Sequence, residues 1–215
     1  EEYSPELTAN VEKKSNILGQ TSVTIDGYQK QGEVSPYYAE AGDPLFEKLQ
    51  EIIDGDLVLA TDPDADRVGI AVNHHGEYIL PTGNEVGVLM LDYIAKQRIA
   101  QGTMPKNPIA VKSIVSTPLA DVVAKSYGIQ MINVLTGFKY IGEQITLLEQ
   151  KGEENRFLLG FEESYGYMTG GHVRDKDAVN GAMIICEMAE YYKKQGKTLI
   201  DALNDIFSRF GVYAA

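Results

Sequence analysis

From Ile109 onward the chain changes its hydrophobic period again and again. Ile109 to Val115, Gln130 to Val134 and Phe157 to Leu159 are short apolar runs of strand character. Between and after them, apolar residues fall at helical spacing: from Pro118 to Gly128, through Ile141, Ile145 and Leu148, from Ala178 to Lys194, and from Leu199 to Phe210. Thr117 caps the first of these helices with Pro118 at its first turn, and Gln195-Gly196 divides the last two. Strands alternating with helices predict an α/β fold: a layered α/β/α domain with a mixed, largely parallel sheet.

The N-terminal half is organised differently. Residues 1 to about 44 are polar, weakly patterned and rich in Gly, Gln, Ser and Tyr. Val23 to Ile25 predicts a short strand closed by the turn Asp26-Gly27, while Ser35-Pro36 and Gly42-Asp43-Pro44 predict loop. Leu45, Leu49, Ile52 and Ile53 share one helical face, and Asp54-Gly55 ends that helix. Strands are then expected at Leu57 to Ala60, Val68 to Val72 and Glu77 to Leu80, the last two joined by Asn73-His74-His75-Gly76. Thr82-Gly83-Asn84-Glu85 has the form of a capping box, opening a helix through Val86, Leu89, Met90 and Tyr93. The expected division is a small partial α/β segment over residues 1–69 and a main domain over residues 70–215.

Chemistry concentrates first in Asp62, Asp64, Asp66 and Arg67, which follow the Leu57 strand at once. Three carboxylates at alternate positions repel one another, and a hard divalent cation removes that cost. Pro63 stiffens the loop between two of the ligands. An EF-hand is excluded, because its sixth position needs Gly and is Arg67, and its twelfth needs Glu and is Asn73. An arginine beside such a loop suits an anionic partner, since guanidinium grips phosphate in a bidentate fork. Metal plus phosphate is the reading this loop supports; a solvated acidic turn is the plain alternative.

With 44% hydrophobic and 23% charged residues, the 215-residue chain can bury a core. Its formal net charge of −12 argues against a nucleic-acid partner and requires any anionic substrate to be drawn in by a local patch or a metal. No apolar run approaches a membrane span and the start has no signal-peptide character, so a cytoplasmic protein without a membrane partner is expected. The chain starts without Met and stops just after a helix, which reads as an excerpt of something longer. The single cysteine, Cys186, lies in a helical apolar pattern and is expected as a small core residue. His74 and His75 are expected as exposed turn residues rather than metal ligands, since no partner ligand stands at a suitable spacing.

Two further loops follow strands. Thr136-Gly137-Phe138-Lys139 offers a hydroxyl, a close backbone approach and a cation, or simply a helix cap with a surface lysine. Glu162 and Ser164 point the same way in an extended loop, where they could hold two sugar hydroxyls or only face solvent. If all three strands run parallel in one sheet, their loops open on one edge. His172, Arg174 and Lys176, interleaved with Asp175 and Asp177, precede a helix; such a run is usually a solvated face but could also meet a phosphate.

Taken together and in order, Asp62-Pro-Asp-Ala-Asp-Arg67, Thr136-Gly-Phe-Lys139, Gly160-Phe-Glu-Glu-Ser-Tyr-Gly166 and Val173-Arg-Asp-Lys-Asp-Ala178 resemble the α-D-phosphohexomutase superfamily, the phosphoglucomutase and phosphomannomutase enzymes. The resemblance covers about Asp56 to Tyr213. The Glu-Glu-Ser-Tyr-Gly form is more similar to the phosphoglucomutase and phosphopentomutase branches than to bacterial dual-specificity phosphomannomutases. It implies four domains around one cleft: a phosphoserine on the first, a metal loop on the second, a sugar loop on the third and a phosphate clamp on the fourth. The phosphoserine hands its phosphoryl group to a hexose phosphate, and the resulting bisphosphate returns the other phosphate to the serine.

By the same resemblance Asp62, Asp64 and Asp66 would bind Mg²⁺, with Arg67 near the transferring phosphate. Glu162 and Ser164 would hold sugar hydroxyls beside Thr136 and Gly137, and Lys176 would be an acid/base or charge-stabilising group. The chain departs from the family in three places, the first being that residues 1 to 44 do not read like the usual first part of domain 2. It has no Thr-Ala-Ser-His-Asn-Pro-type phosphoserine segment and no Arg-x-Ser-Gly-Thr-type clamp. The expectation is therefore the end of domain 2 (residues 1–69) with domain 3 (residues 70–215), lacking domains 1 and 4 and inactive as a mutase by itself. A non-catalytic sugar-phosphate binding module and a Ca²⁺-binding structural domain are the rival readings. Three carboxylates leave coordination positions to water, so weak metal affinity is expected.

Overall fold

The computed structural model describes residues 55–213 and two short strands before them, β1 (Ser22–Ile25) and β2 (Tyr28–Gln31). These two pair antiparallel across the position of the expected Asp26-Gly27 turn. The helix expected over Leu45 to Ile53, and the loops at Ser35-Pro36 and Gly42 to Pro44, lie outside the described residues.

Strands β3 (Leu57–Thr61), β4 (Val68–His74) and β5 (Glu77–Ile79) form a three-stranded antiparallel sheet. The acidic loop is the turn between β3 and β4, and the expected boundary between Gly69 and Ile70 falls inside β4. On β4, Val68, Ile70 and Val72 are buried at period two and form the sheet's contribution to the main core.

Helix α1 (Gly83–Ala100) follows. Its capping box forms as the Thr82–Glu85 spacing requires: Glu85 N–H donates to Thr82 Oγ1 at 3.3 Å, and Thr82 N–H donates to Glu85 Oε2 at 2.7 Å. Ten consecutive residues, Val86 to Ala95, are buried, so this helix is apolar almost all round and sits inside the molecule. Its one buried charge, Asp92, accepts from Tyr127 Oη at 2.7 Å and pairs with Lys96 and Arg209, also at 2.7 Å. Burial first, then the Asp92 hydrogen bond, pushes the Tyr127 phenol up to about 12.

The second sheet has the order β7-β6-β8-β9. Strands β6 (Ile109–Ser113), β7 (Gln130–Val134) and β8 (Phe157–Phe161) are parallel, joined by helices α2 (Leu119–Ser126) and α3 (Lys139–Glu149). Strand β9 (Tyr167–Met168) then folds back antiparallel on β8. Ile109 and Val111 face α3 and pack with Ile141, Ile145 and Leu148, while Ala110 between them faces the main core. Helices α4 (Ala178–Lys193) and α5 (Leu199–Phe210) complete the core beside α1 and α2. The result is the expected α/β/α layering with a mixed, largely parallel sheet.

Two expectations need correction. Strand β3 does not belong to the parallel sheet; a six-residue loop turns it straight back onto β4, and a reversal that short makes an antiparallel hairpin. Cys186 is exposed rather than core. Helix α4 buries Ala178, Gly181, Ile185, Met188 and Tyr192, and Cys186 stands one residue, about 100° of helix rotation, past that stripe.

Helix α1 reaches the second sheet only because Gly87 has no side chain: a Cβ there would lie 2.3 Å from the Phe161 ring. Gly87→Ala gains about 1 kcal/mol of helix propensity but overpacks this contact at about 1–3 kcal/mol. The expected net effect is a lower unfolding midpoint in urea; a raised midpoint would show that the helix and ring separate freely.

Candidate active site

The acidic loop is held shut by its own first residue. Asp62 Oδ1 accepts the N–H groups of Asp66 and Arg67, both at 3.1 Å, and the Asp62 carbonyl accepts Ala65 N–H at 3.1 Å. Ala65 takes the left-handed conformation (φ 55°) that this tight closure demands. One oxygen from each of Asp62, Asp64 and Asp66 lies within 4.8 Å of the others. Asp66 Oδ1 is buried without a hydrogen-bond partner among the described residues; Arg67 Nε, at 3.9 Å, is too far to supply one. A buried carboxylate oxygen left open, within an all-oxygen donor set, fits a hard divalent cation.

The loop is tied to its neighbours through backbone. Arg67 forms an antiparallel bridge with Gly166, and Val68 N–H donates to the Tyr165 carbonyl at 3.2 Å. Ala178 N–H, at the start of α4, donates to the Ala65 carbonyl at 3.2 Å. The Glu162–Gly166 turn is itself closed by Glu162 N–H donating to the Gly166 carbonyl at 3.0 Å, with Tyr165 left-handed at φ 65°. Glu162 is 8% exposed, and its Oε1 accepts Gly137 N–H at 2.8 Å. All three loops therefore meet, although the acidic one arrives from a different sheet. The bridge at Gly166, not a shared sheet edge, brings it there.

Lys176 closes the arrangement. Its Nζ lies 2.9 Å from Asp66 Oδ2 and 2.9 Å from Asp175 Oδ1, and 5.4 Å from the centre of the Phe138 ring. A Cβ on Gly166 would stand 2.3 Å from Lys176 Cδ, so the glycine makes room for the lysine stem. Burial alone would lower the Lys176 pKa, but hydrogen bonds to Asp175 and Asp66 outweigh it and hold the ammonium above its ordinary value. Its neighbours in the basic run turn elsewhere: Arg174 pairs with Glu149 on α3, and His172 Nε2 lies 3.2 Å from Asp177 Oδ2. Asp177 caps α4, accepting Asn180 N–H at 2.9 Å, so that helix end is already served. Thr136 is exposed and Ser164 half-buried beside these loops.

Glu163 has a part that local spacing does not reveal. Glu162 and Glu163 point to opposite sides, as neighbours in extended chain do. Glu163 Oε2 accepts Ser113 Oγ at 2.9 Å, from the last residue of β6, and Ser116 Oγ at 3.4 Å, just past it. Lys112, 3% exposed, braces the same corner through the Ser116 carbonyl at 3.1 Å and Asp121 at 3.2 Å. The Glu163 carbonyl lies where a Cβ on Gly83 would be, at 2.1 Å, so the N-terminus of α1 supports the turn from behind. His74 is also not an exposed turn tip; it ends β4 half-buried, with Nδ1 2.8 Å from Thr198 Oγ1.

Three acidic residues with an all-oxygen donor set, beside a carboxylate-bearing turn on an α/β/α domain, make up a site whose chemistry fits a cation and a polar ligand. Residues 82–210 match the family model for phosphoglucomutase/phosphomannomutase, alpha/beta/alpha domain III, and the chain belongs to that family. Over 157 residues it is 40% identical to a phosphoglucomutase of Staphylococcus aureus, a stretch that is 73% of this chain and 27% of that protein. A Staphylococcus epidermidis phosphoglucomutase matches at 40% over 165 residues, 76% of this chain and 29% of the relative. The chain thus spans little more than a quarter of the curated relatives it matches.

Among solved structures, a putative phosphomannomutase from Thermus thermophilus superposes with a TM-score of 0.59 at 24% identity, covering 79% of this chain and 34% of that one. The open form of the Paramecium phosphoglucomutase parafusin gives 0.56 at 22% identity, with 73% and 25% covered. These two likenesses concern the fold. No described helix is long and apolar enough to cross a membrane.

Removing the Glu163 carboxylate takes away the acceptor that Ser113 and Ser116 share and leaves their hydroxyls, 2.8 Å apart, to pair with each other. Glu163→Ala is expected to cost about 1–3 kcal/mol in urea unfolding. Ser113→Ala should cost less in that background than it does alone, because only the Ser116 hydroxyl then remains to be lost; full additivity would contradict the coupling.

Proposed function

We propose that this chain is the metal- and sugar-binding portion of a Mg²⁺-dependent phosphohexomutase that interconverts hexose 1-phosphate and hexose 6-phosphate through a phosphoserine and a bisphosphate. The observation that carries the reading is the open, buried Asp66 oxygen on a loop bonded through backbone to the Glu162–Gly166 turn. Glucose is the favoured hexose, since the curated relatives at 40% identity are phosphoglucomutases.

Asp62, Asp64 and Asp66 would hold the Mg²⁺, which when bound offsets negative charge on the phosphoryl group. Arg67 and Lys176 add fixed positive charge at the same edge; Lys176, gripped by two carboxylates, serves as a cation rather than a base. Glu162 has one oxygen committed to Gly137 and presents the other to sugar hydroxyls, with the Ser164 hydroxyl as partner donor. Thr136 and Gly137 line the same approach. Within this chain, residues 1–69 would end domain 2 and residues 70–215 would form domain 3; the phosphoserine and the phosphate clamp would come from parts of such an enzyme that the chain does not span. A protein of this kind would work in the cytoplasm.

Calorimetry tests the reading. Glucose 1-phosphate is expected to bind the isolated chain more tightly in Mg²⁺ than in chelator, and Glu162→Gln to weaken that binding about tenfold, the loss of one charged hydrogen bond. In a coupled assay the isolated chain should show no conversion of glucose 1-phosphate to glucose 6-phosphate. Binding indifferent to both Mg²⁺ and Glu162 would overturn the proposal, and turnover by the isolated chain would overturn the division of labour.

A further inference from the structure

At the far end of β4 from the acidic loop, His74, His75 and Asp201 converge. Each offers one ligand atom, and the three atoms lie within 4.8 Å of one another. Successive residues of a strand send their side chains to opposite faces. His75 is the first turn residue past β4 and escapes that alternation: it takes the left-handed conformation, φ 58°, and its ring centre comes to 4.3 Å from that of His74. The third group arrives from distant sequence, on the first turn of α5.

One hydroxyl orients two of the three. Thr198 Oγ1 lies 2.8 Å from His74 Nδ1 and 3.0 Å from Asp201 Oδ2, and Thr198 N–H donates to the same Asp201 oxygen at 2.8 Å. A ligating imidazole is typically aligned by such a hydrogen bond through its other ring nitrogen. Asp201 keeps its Oδ1 outside the capping box. Two imidazoles with one carboxylate suit a first-row transition-metal dication and not Mg²⁺, whose preferred donors are oxygens.

We propose that His74, His75 and Asp201 form a second metal site, for a transition-metal dication such as Zn²⁺, that cross-links the β4–β5 turn to α5. Three protein ligands leave further positions to water. The site stands one strand length, roughly 20 Å, from the acidic loop, so its metal touches none of the groups assigned to the sugar phosphate. It acts on the fold: it fastens the antiparallel sheet to the helix that also carries Arg209, the partner of buried Asp92. The inference stands independently of the function proposed above.

The test is a Zn²⁺ titration of the metal-free chain in saturating Mg²⁺, by calorimetry and by thermal unfolding. One equivalent is expected to bind and to raise the Tm, because a ligand held only by the folded state stabilises it. His74→Gln and His75→Asn should each weaken binding at least about tenfold and abolish the Tm shift; Asn accepts the left-handed conformation, so the turn survives. Asp64→Asn should leave Zn²⁺ binding unchanged. Co²⁺ in place of Zn²⁺ should give a visible absorption band that disappears in His75→Asn. Absence of binding, binding that survives both histidine substitutions, or binding lost with Asp64→Asn would each overturn the proposal.

Discussion

Three like charges on a six-residue loop must be held together before they can serve any purpose. Coulomb repulsion drives Asp62, Asp64 and Asp66 apart, and the fold opposes it at four points. Asp62 spends one carboxylate oxygen on the loop's own N–H groups. The Arg67–Gly166 bridge fixes the loop's exit, and Ala178 N–H at the start of α4 fixes its middle. Lys176 supplies the compensating charge from the far side. Remove these and the acidic residues become an ordinary solvated turn.

The same contacts explain why the two sheets form one unit. The antiparallel sheet meets the mixed sheet where β4 begins and β9 approaches. Helix α1 supports that junction from below: Gly87 admits the Phe161 ring and Gly83 admits the Glu163 backbone. Both glycines are helical, where their intrinsic propensity is unfavourable, and both are needed because the sheet comes closer than any side chain permits. The site thus rests on a buried helix rather than on loops alone, which limits how far its groups can drift.

What could be read from sequence was what local spacing encodes. The D-x-D-x-D-R loop, the Thr82–Glu85 capping box, the strand Gln130–Val134 and the helix Leu199–Phe210 all declare themselves within a few residues. Strand β9 did not, because two residues carry no period and Tyr167–Met168 becomes a strand only by pairing with β8. The position of β3 was equally hidden, since an apolar run does not state which sheet it joins. Glu163 with Ser113 and Ser116, and His74 with Asp201, are contacts between distant segments that no spacing rule connects. Cys186 shows the limit of the helical pattern: one position of rotation separates core from surface.

The central claim is that the acidic loop places one cation within reach of the Glu162–Ser164 turn. Diffraction from crystals soaked in Mn²⁺, a heavier stand-in for Mg²⁺, measures this directly through anomalous scattering. The account predicts a peak bonded to oxygens of Asp62, Asp64 and Asp66, on the side of the loop that faces Glu162. Those three side chains splayed into solvent with no peak between them, or a peak on the face turned away from Glu162, would contradict it.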